Sequence, residues 1–168
     1  MTALDTLTEN GLSLGIELPL DNDLARRDVS GQGLFPDLTR HQERAQLADR
    51  LGFRALWLRD VPMWRPRDFG DAGQVFDPIP YLGYLAASTE HILLGTAGIV
   101  LPLRHPVALA KEAATVDVLS GGRLLLGLAS GDRPGEYPFF GVDFDRRGET
   151  YRDGVRAVSY THLTLPTI

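Results

Sequence analysis

Three short stretches carry the residue types best suited to a ligand site. "RDVPMW" places Asp60 directly after an aliphatic run, where a carboxylate either turns the loop or contacts a ligand, and both readings stand. "LGLASGDRP" ends in Ser130-Gly131-Asp132, where small residues let a ligand approach the backbone and Ser130 offers a hydroxyl; an ordinary β-turn is the slightly favoured alternative on these residues alone. "LGTAGIVLPLRHP" is an apolar run broken by the small residues Thr96-Ala97-Gly98. His105 stands before Pro106, an extended position that suits a structural hydrogen bonder better than a general base. His41 and His91 have no companion at metal-ligand spacing, so a metal site is not expected. No nucleophile elbow, Walker loop or Ser-His-Asp arrangement is present. Trp57, Trp64, Phe69, Phe76 and Tyr81 are candidates either to line an apolar pocket over a flat ligand or simply to pack.

The elements that must position these residues alternate between two types. Leu12 to Leu18, Ala55 to Arg59, Ile92 to Val100 and Leu124 to Ser130 are short, aliphatic and nearly continuous, the pattern of parallel strands buried on both faces. Helices are expected over Thr39 to Leu51, Pro78 to Ser88, Pro106 to Leu119 and Asp145 to Val158. Thr39 and Asp77 suit the N-cap, Pro78 and Pro106 the first turn, and Gly52 and Gly121 the left-handed position after the last turn. Strand, helix, strand, repeated four times, builds a parallel sheet with right-handed crossovers. A doubly wound sheet would be complete at this length, whereas an eight-fold β/α barrel needs about 250 residues and would be half present. Against the former, no strand leads into a G-x-G-x-x-G turn; moreover, the long loops Pro19 to Asp37 and Asp60 to Asp77 both lie at the C-terminal face, where a barrel keeps its active site. Ser120-Gly121-Gly122-Arg123 sits at the opposite face and reads as a stability element. The last residues, "SYTHLTLPTI", lose the helical register, so 1–158 is expected to be the native domain and 159–168 a non-native tail.

Composition narrows the function. The chain has 168 residues, of which 43% are hydrophobic and 23% charged, enough for one buried core. A net charge of -5, with Lys111 the single lysine, offers no basic stripe to a nucleic acid. Without cysteine, thiolate and disulfide chemistry are absent, so redox work requires a cofactor. The amino end lacks a secretory pattern and the apolar run Ile92 to Leu103 is shorter than the ~20 residues of a spanning helix, which points to a cytoplasmic protein without a membrane partner.

The run "LGTAGIVLPLRHPVALAKEAATVDVLSGGRLLLGLASGDRP", followed by "FFGVDFDRRGETYRDGV" and accompanied by "LWLRDVP" and "FGDAGQVFDPIPYLGYLA", resembles the bacterial luciferase-like flavin monooxygenases from about Leu12 to Val158. The resemblance implies an α/β fold, the amino-terminal half of an eight-fold (TIM) barrel. It implies a flavin-dependent oxidoreductase or monooxygenase that binds reduced FMN, or in some branches a deazaflavin, at the C-terminal mouth and acts on a small-molecule substrate, with O2 as acceptor. A homo-oligomer and a flavin reductase as electron source are the implied partners. In relatives a non-proline cis peptide after the third strand packs behind the flavin ring, which matches Ala97-Gly98; Asp60, Ser130 and Gly131 would complete the cofactor mouth. The small side chains are expected because a bulky one would collide with the ring. The histidine that luciferases place after the second strand is replaced by Arg59-Asp60-Val61, and the cysteine some relatives carry after the fourth is Ala129. The alternative is a non-catalytic half barrel that self-associates through its open sheet edges.

Overall fold

The computed structural model describes residues 2–8, 12–18, 40–63 and 75–164, with side chains through Tyr160. The elements are α1 (Ala3–Thr8), β1 (Gly15–Leu18), α2 (His41–Arg50), β2 (Ala55–Leu58), α3 (Pro78–Ser88), β3 (Leu93–Thr96), β4 (Ile99–Val100), α4 (Pro106–Ser120), β5 (Leu124–Leu125), β6 (Leu128–Ala129) and α5 (Arg147–Thr164). Short 3-10 turns follow β4 (Leu101–Leu103) and precede α5 (Tyr137–Phe140). Every strand pairing is parallel: one sheet runs β1-β2-β3-β5, and β4 pairs with β6. Four consecutive β/α units with crossover helices make this half of an eight-fold β/α barrel.

Where the sequence suggests two long strands, each is broken in the middle. The run from Ile92 divides at a cis Ala97-Gly98 peptide, and the run from Leu124 divides at Leu126-Gly127. Aliphatic composition hides such a break because it is the same on both sides of it. The Thr96 side chain spans the gap, its hydroxyl donating to Gly127 O (2.8 Å) and accepting from Gly127 N–H (2.9 Å), while Ile99 N–H donates to Gly127 O (2.9 Å).

Burial on both faces holds for β3 and nearly for β2, but β1, β5 and β6 are only partly buried. The outer face of the sheet packs Leu18, Leu56, Leu58 and Leu94 against Ala45 and Ala48 of α2, Leu82 and Leu85 of α3, and Val116 of α4. A second cluster joins Ile99 and Leu101 to Leu109 and Ala110 of α4 and Val158 of α5, with Tyr151 and Val155 alongside. Helix α1 contacts β5, and its residues Ala3, Leu4 and Leu7 line a cavity with Trp57 and Leu125.

Helix ends follow the expected capping in part. Asp77 Oδ1 accepts from Ile79 N–H (3.0 Å) with Pro78 in the first turn of α3, and α4 opens on Pro106 with His105 extended before it. Gly121 (φ 70°) and Gly52 (φ 78°) take the left-handed position after α4 and α2. Thr39 lies outside the described residues; the residue preceding α2 is Arg40, left-handed at φ 57°, whose side chain pairs with Glu43 instead of capping the helix. Helix α5 begins two residues after the expected Asp145 and its backbone continues past Val158 to Thr164.

Helix α1 has no counterpart in the sequence expectations. A reciprocal cap forms it: Thr2 Oγ1 accepts from Asp5 N–H (3.2 Å), and Asp5 Oδ2 from Thr2 N–H (2.8 Å).

At the N-terminal face Arg123 uses all five of its N–H donors: Nε to Ser120 O, Nη1 to Thr89 Oγ1 and Ile92 O, and Nη2 to Ala86 O and Thr89 O, at 2.7–3.1 Å. Asp49 of α2 accepts from the backbone N–H groups of Glu90, His91 and Ile92 (2.7–3.2 Å). Together they fix the entries to β3 and β5, and hence the register of the strands whose far ends carry the candidate site.

Candidate flavin site at the strand C-termini

Chain segments leaving β2, β3 and β6 converge on one cavity of about 370 Å³ at the C-terminal face. Asp60, Ala97, Gly98, Ser130 and Gly131 all line it, with Arg59, Arg133 and Glu136 among the other wall residues. The five sequence candidates, drawn from 72 residues of chain (60 to 131), are therefore brought together. The volume falls within the range of small-molecule pockets, roughly 300–1,000 Å³.

Asp60 is the structural centre of this wall. Its side chain is 1% exposed and accepts from Val100 N–H (2.8 Å), Arg104 Nη2 (2.8 Å) and Arg104 Nε (3.3 Å). Arg104 Nη2 also reaches Asp77 Oδ2 (2.9 Å), so one guanidinium links the start of the β2–α3 loop to its end. Burial alone would depress the Arg104 pKa, but hydrogen bonds and charge from Asp60 and Asp77 outweigh it and raise the value. Through Val100 the same carboxylate holds β4 in place behind the Ala97-Gly98 peptide.

Ala97 is exposed at the cavity wall and Gly98 partly buried. Gly98 is small for a reason within the protein as well. A Cβ at Gly98 would lie 3.0–3.1 Å from the backbone of Gly127 and Leu128, so close approach of the β5–β6 connection favours glycine there. Ala97 is the residue whose enlargement projects from this turn without that obstacle.

The loop after β6 is held by Tyr137, fully buried, whose hydroxyl donates to Ser130 O and whose ring meets Phe144 edge-on. Gly131 has φ 77°, and a Cβ there would lie 2.5 Å from Tyr137 Oη and 2.7 Å from Val100 Cγ1. Both facts require glycine. This lock turns Glu136, the next residue back along the chain, into the cavity. Its side chain is 5% exposed and lies 3.7 Å from Arg133 Nη1.

Sequence reasoning missed Glu136, Arg133 and the role of Arg104. The signal for the first two was "DRPGE": a basic and an acidic residue flanking a Pro-Gly turn directly after a strand end. Of the aromatic candidates, Phe76 and Tyr81 line a different cavity of about 450 Å³ with His41 and Tyr84. There the Tyr81 hydroxyl meets His41 Nδ1, and burial, reinforced by Tyr84, raises its pKa. Trp57 lies on the inner sheet face close against Gly15 and Gly95, while Trp64 and Phe69 lie outside the described residues.

The profile of the luciferase-like monooxygenases matches residues 15–161. The chain belongs to that family. Within it, the chain is 37% identical over 120 residues to the oxygenase component of a flavin-dependent trigonelline monooxygenase from Acinetobacter baylyi, covering 69% of this chain and 31% of that protein. It is 38% identical over 94 residues to an F420-dependent glucose-6-phosphate dehydrogenase from Beutenbergia cavernae, covering 55% and 27%. The crystal structure of the monooxygenase RslO1 from Streptomyces bottropensis superposes with a TM-score of 0.71 at 27% identity, covering 88% of this chain and 42% of that one. The chain thus spans about a third of the length of the curated relatives it matches. Among the described residues, no helix is long and apolar enough to cross a membrane.

The cavity suits a flavin ring chemically. It offers a wall of small residues at Ala97-Gly98, a backbone that only glycine permits at Gly131, and a buried Glu136 Oε1 without a hydrogen-bond partner.

Proposed function

We propose that this luciferase-like chain contributes part of the cofactor site of a flavin-dependent oxidoreductase, with the ring lying against Ala97-Gly98 and Ser130 and Gly131 lining the mouth. Asp60 belongs to the same wall and acts by holding β4 and Arg104. The observation that carries this reading is the convergence of the five residues on one cavity at the C-terminal ends of the strands. When bound, reduced FMN supplies electrons to O2, whereas a deazaflavin moves a hydride; the protein contributes orientation and electrostatics. FMN is the cofactor we favour, since the flavin-dependent trigonelline enzyme aligns over more of the chain than the F420-dependent one. The substrate is a small organic molecule, and the electrons come from a separate flavin reductase in the cytoplasm.

The test is a fluorescence titration of FMN with this chain and with Ala97→Trp. Because Ala97 is exposed, the variant should keep its circular dichroism spectrum while its Kd rises at least about tenfold, a loss of about 1.4 kcal/mol. Equal affinity in the two proteins would overturn the placement of the ring.

A second reading draws on the sheet itself. Strand β1 ends the order β1-β2-β3-β5 and is only partly buried, and among the described residues no strand pairs with its outer edge, which can therefore pair with a second copy. Size-exclusion chromatography decides: a monomer that binds FMN contradicts self-association through that edge, and an oligomer blind to FMN supports it.

A further inference from the structure

Glu136 differs from the other carboxylates of the cavity wall. Asp60 has its oxygens engaged by Val100 and Arg104, and Asp132 is exposed. Glu136 is buried, its Oε1 has no hydrogen-bond partner, and the Arg133 guanidinium lies 3.7 Å from it, beyond hydrogen-bonding distance. A buried, incompletely satisfied carboxyl is costly, and one that faces a cavity is suited to a ligand.

The groups facing it come from three segments. Arg59 and Asp60 stand at the end of β2, where the Met63 backbone also reaches the carboxylate. Asp132 and Arg133 belong to the loop after β6, and Tyr137 begins the 3-10 turn. Burial pushes the Glu136 pKa up; the charge of Asp60 adds to this, while Arg133 and the Met63 hydrogen bond oppose it. A flat ring laid across the cavity lowers the polarity around a carboxyl that is already only 5% exposed, and so favours its neutral form.

We propose that Glu136 is the proton-exchanging group of this cavity: it takes up a proton when a flat heteroaromatic ring closes over it, and passes that proton to and from the polar edge of the ring. In the transfer the Glu136 O–H bond breaks and a bond from hydrogen to a ring heteroatom forms, leaving a carboxylate beside the Arg133 guanidinium. No electron moves in this step. The proposal rests on the flavin reading and names an acid-base residue for it.

The sign follows from linkage. A carboxyl whose pKa is higher in the complex than in the free protein binds a proton on association, so affinity is greatest at low pH and falls as pH rises through the interval between the two values. Across that interval Kd should rise about tenfold per pH unit. The experiment measures FMN affinity against pH for the wild-type chain and Glu136→Gln. It also measures protons taken up per FMN, from binding heats in buffers of different ionisation enthalpy. A parallel series with riboflavin removes the titration of the FMN phosphate. The expected result is uptake approaching one proton in the wild type and none in Glu136→Gln, with the pH dependence flattened accordingly. If the glutamine variant does not fold, Glu136→Asp serves, with the linkage retained and its midpoint displaced. Identical proton uptake in the wild type and Glu136→Gln, or an undisplaced midpoint in Glu136→Asp, overturns the proposal and leaves the flavin reading intact. Failure of the wild type to bind either flavin overturns that reading, and the proposal with it.

Discussion

Replacing Asp60 by alanine should lower the unfolding free energy of this chain by about 3 kcal/mol, the loss expected when one partner of a buried ion pair is removed. The variant strands two groups at once. Val100 N–H loses its acceptor, and Arg104, 19% exposed, keeps only Asp77. Asp60→Asn should cost less, because an amide oxygen still accepts one of these bonds. The double variant Asp60→Ala/Arg104→Met should also be less damaging than Asp60→Ala alone, since no half-paired guanidinium remains. Urea unfolding curves measure all three. Should Asp60→Ala prove as stable as the wild type, the carboxylate would not be the clamp of the C-terminal face.

The Arg123→Ala variant should be at least as severe, at about 3–5 kcal/mol, because hydrogen bonds to a charged group contribute about 1.5–3 kcal/mol each and water can replace only some of them. Four carbonyls and a hydroxyl lose their donor together. Arg123→Lys should recover little, since a single ammonium cannot reproduce the planar fork that reaches α3, β3 and α4 at once. Thermal unfolding tests this, and full rescue by lysine would contradict the account of the N-terminal face.

These two residues also show how far the sequence could be read. Ser120-Gly121-Gly122-Arg123 announces a structural turn by its position between a helix and a strand, and the guanidinium fills that role. Asp60 reads equally as a turn former or a ligand, because the choice depends on Val100 and Arg104, 40 and 44 residues away. Helices α3 and α4 were legible from their prolines and caps, whose signals are local. The breaks at Ala97-Gly98 and Leu126-Gly127 were only half legible: a run of small residues marked the first, and a lone Gly127 within an otherwise aliphatic run marked the second. The crowding of Gly98 against the Gly127 and Leu128 backbone was not legible at all, since those residues lie about 30 positions further along the chain. Glu136 stayed hidden because its burial depends on the Tyr137 lock onto Ser130 O, a tertiary contact within a loop.

The central claim is that a flavin ring rests against the strand ends of this half barrel. It is tested most directly by titrating FMN into the isotopically labelled chain and following its backbone amide resonances. The account predicts saturable shifts concentrated at Gly98, Ser130 and Gly131, with little change at Tyr81 and Tyr84 in the other cavity. Shifts confined to Tyr81 and Tyr84, or none at any FMN concentration, would contradict it.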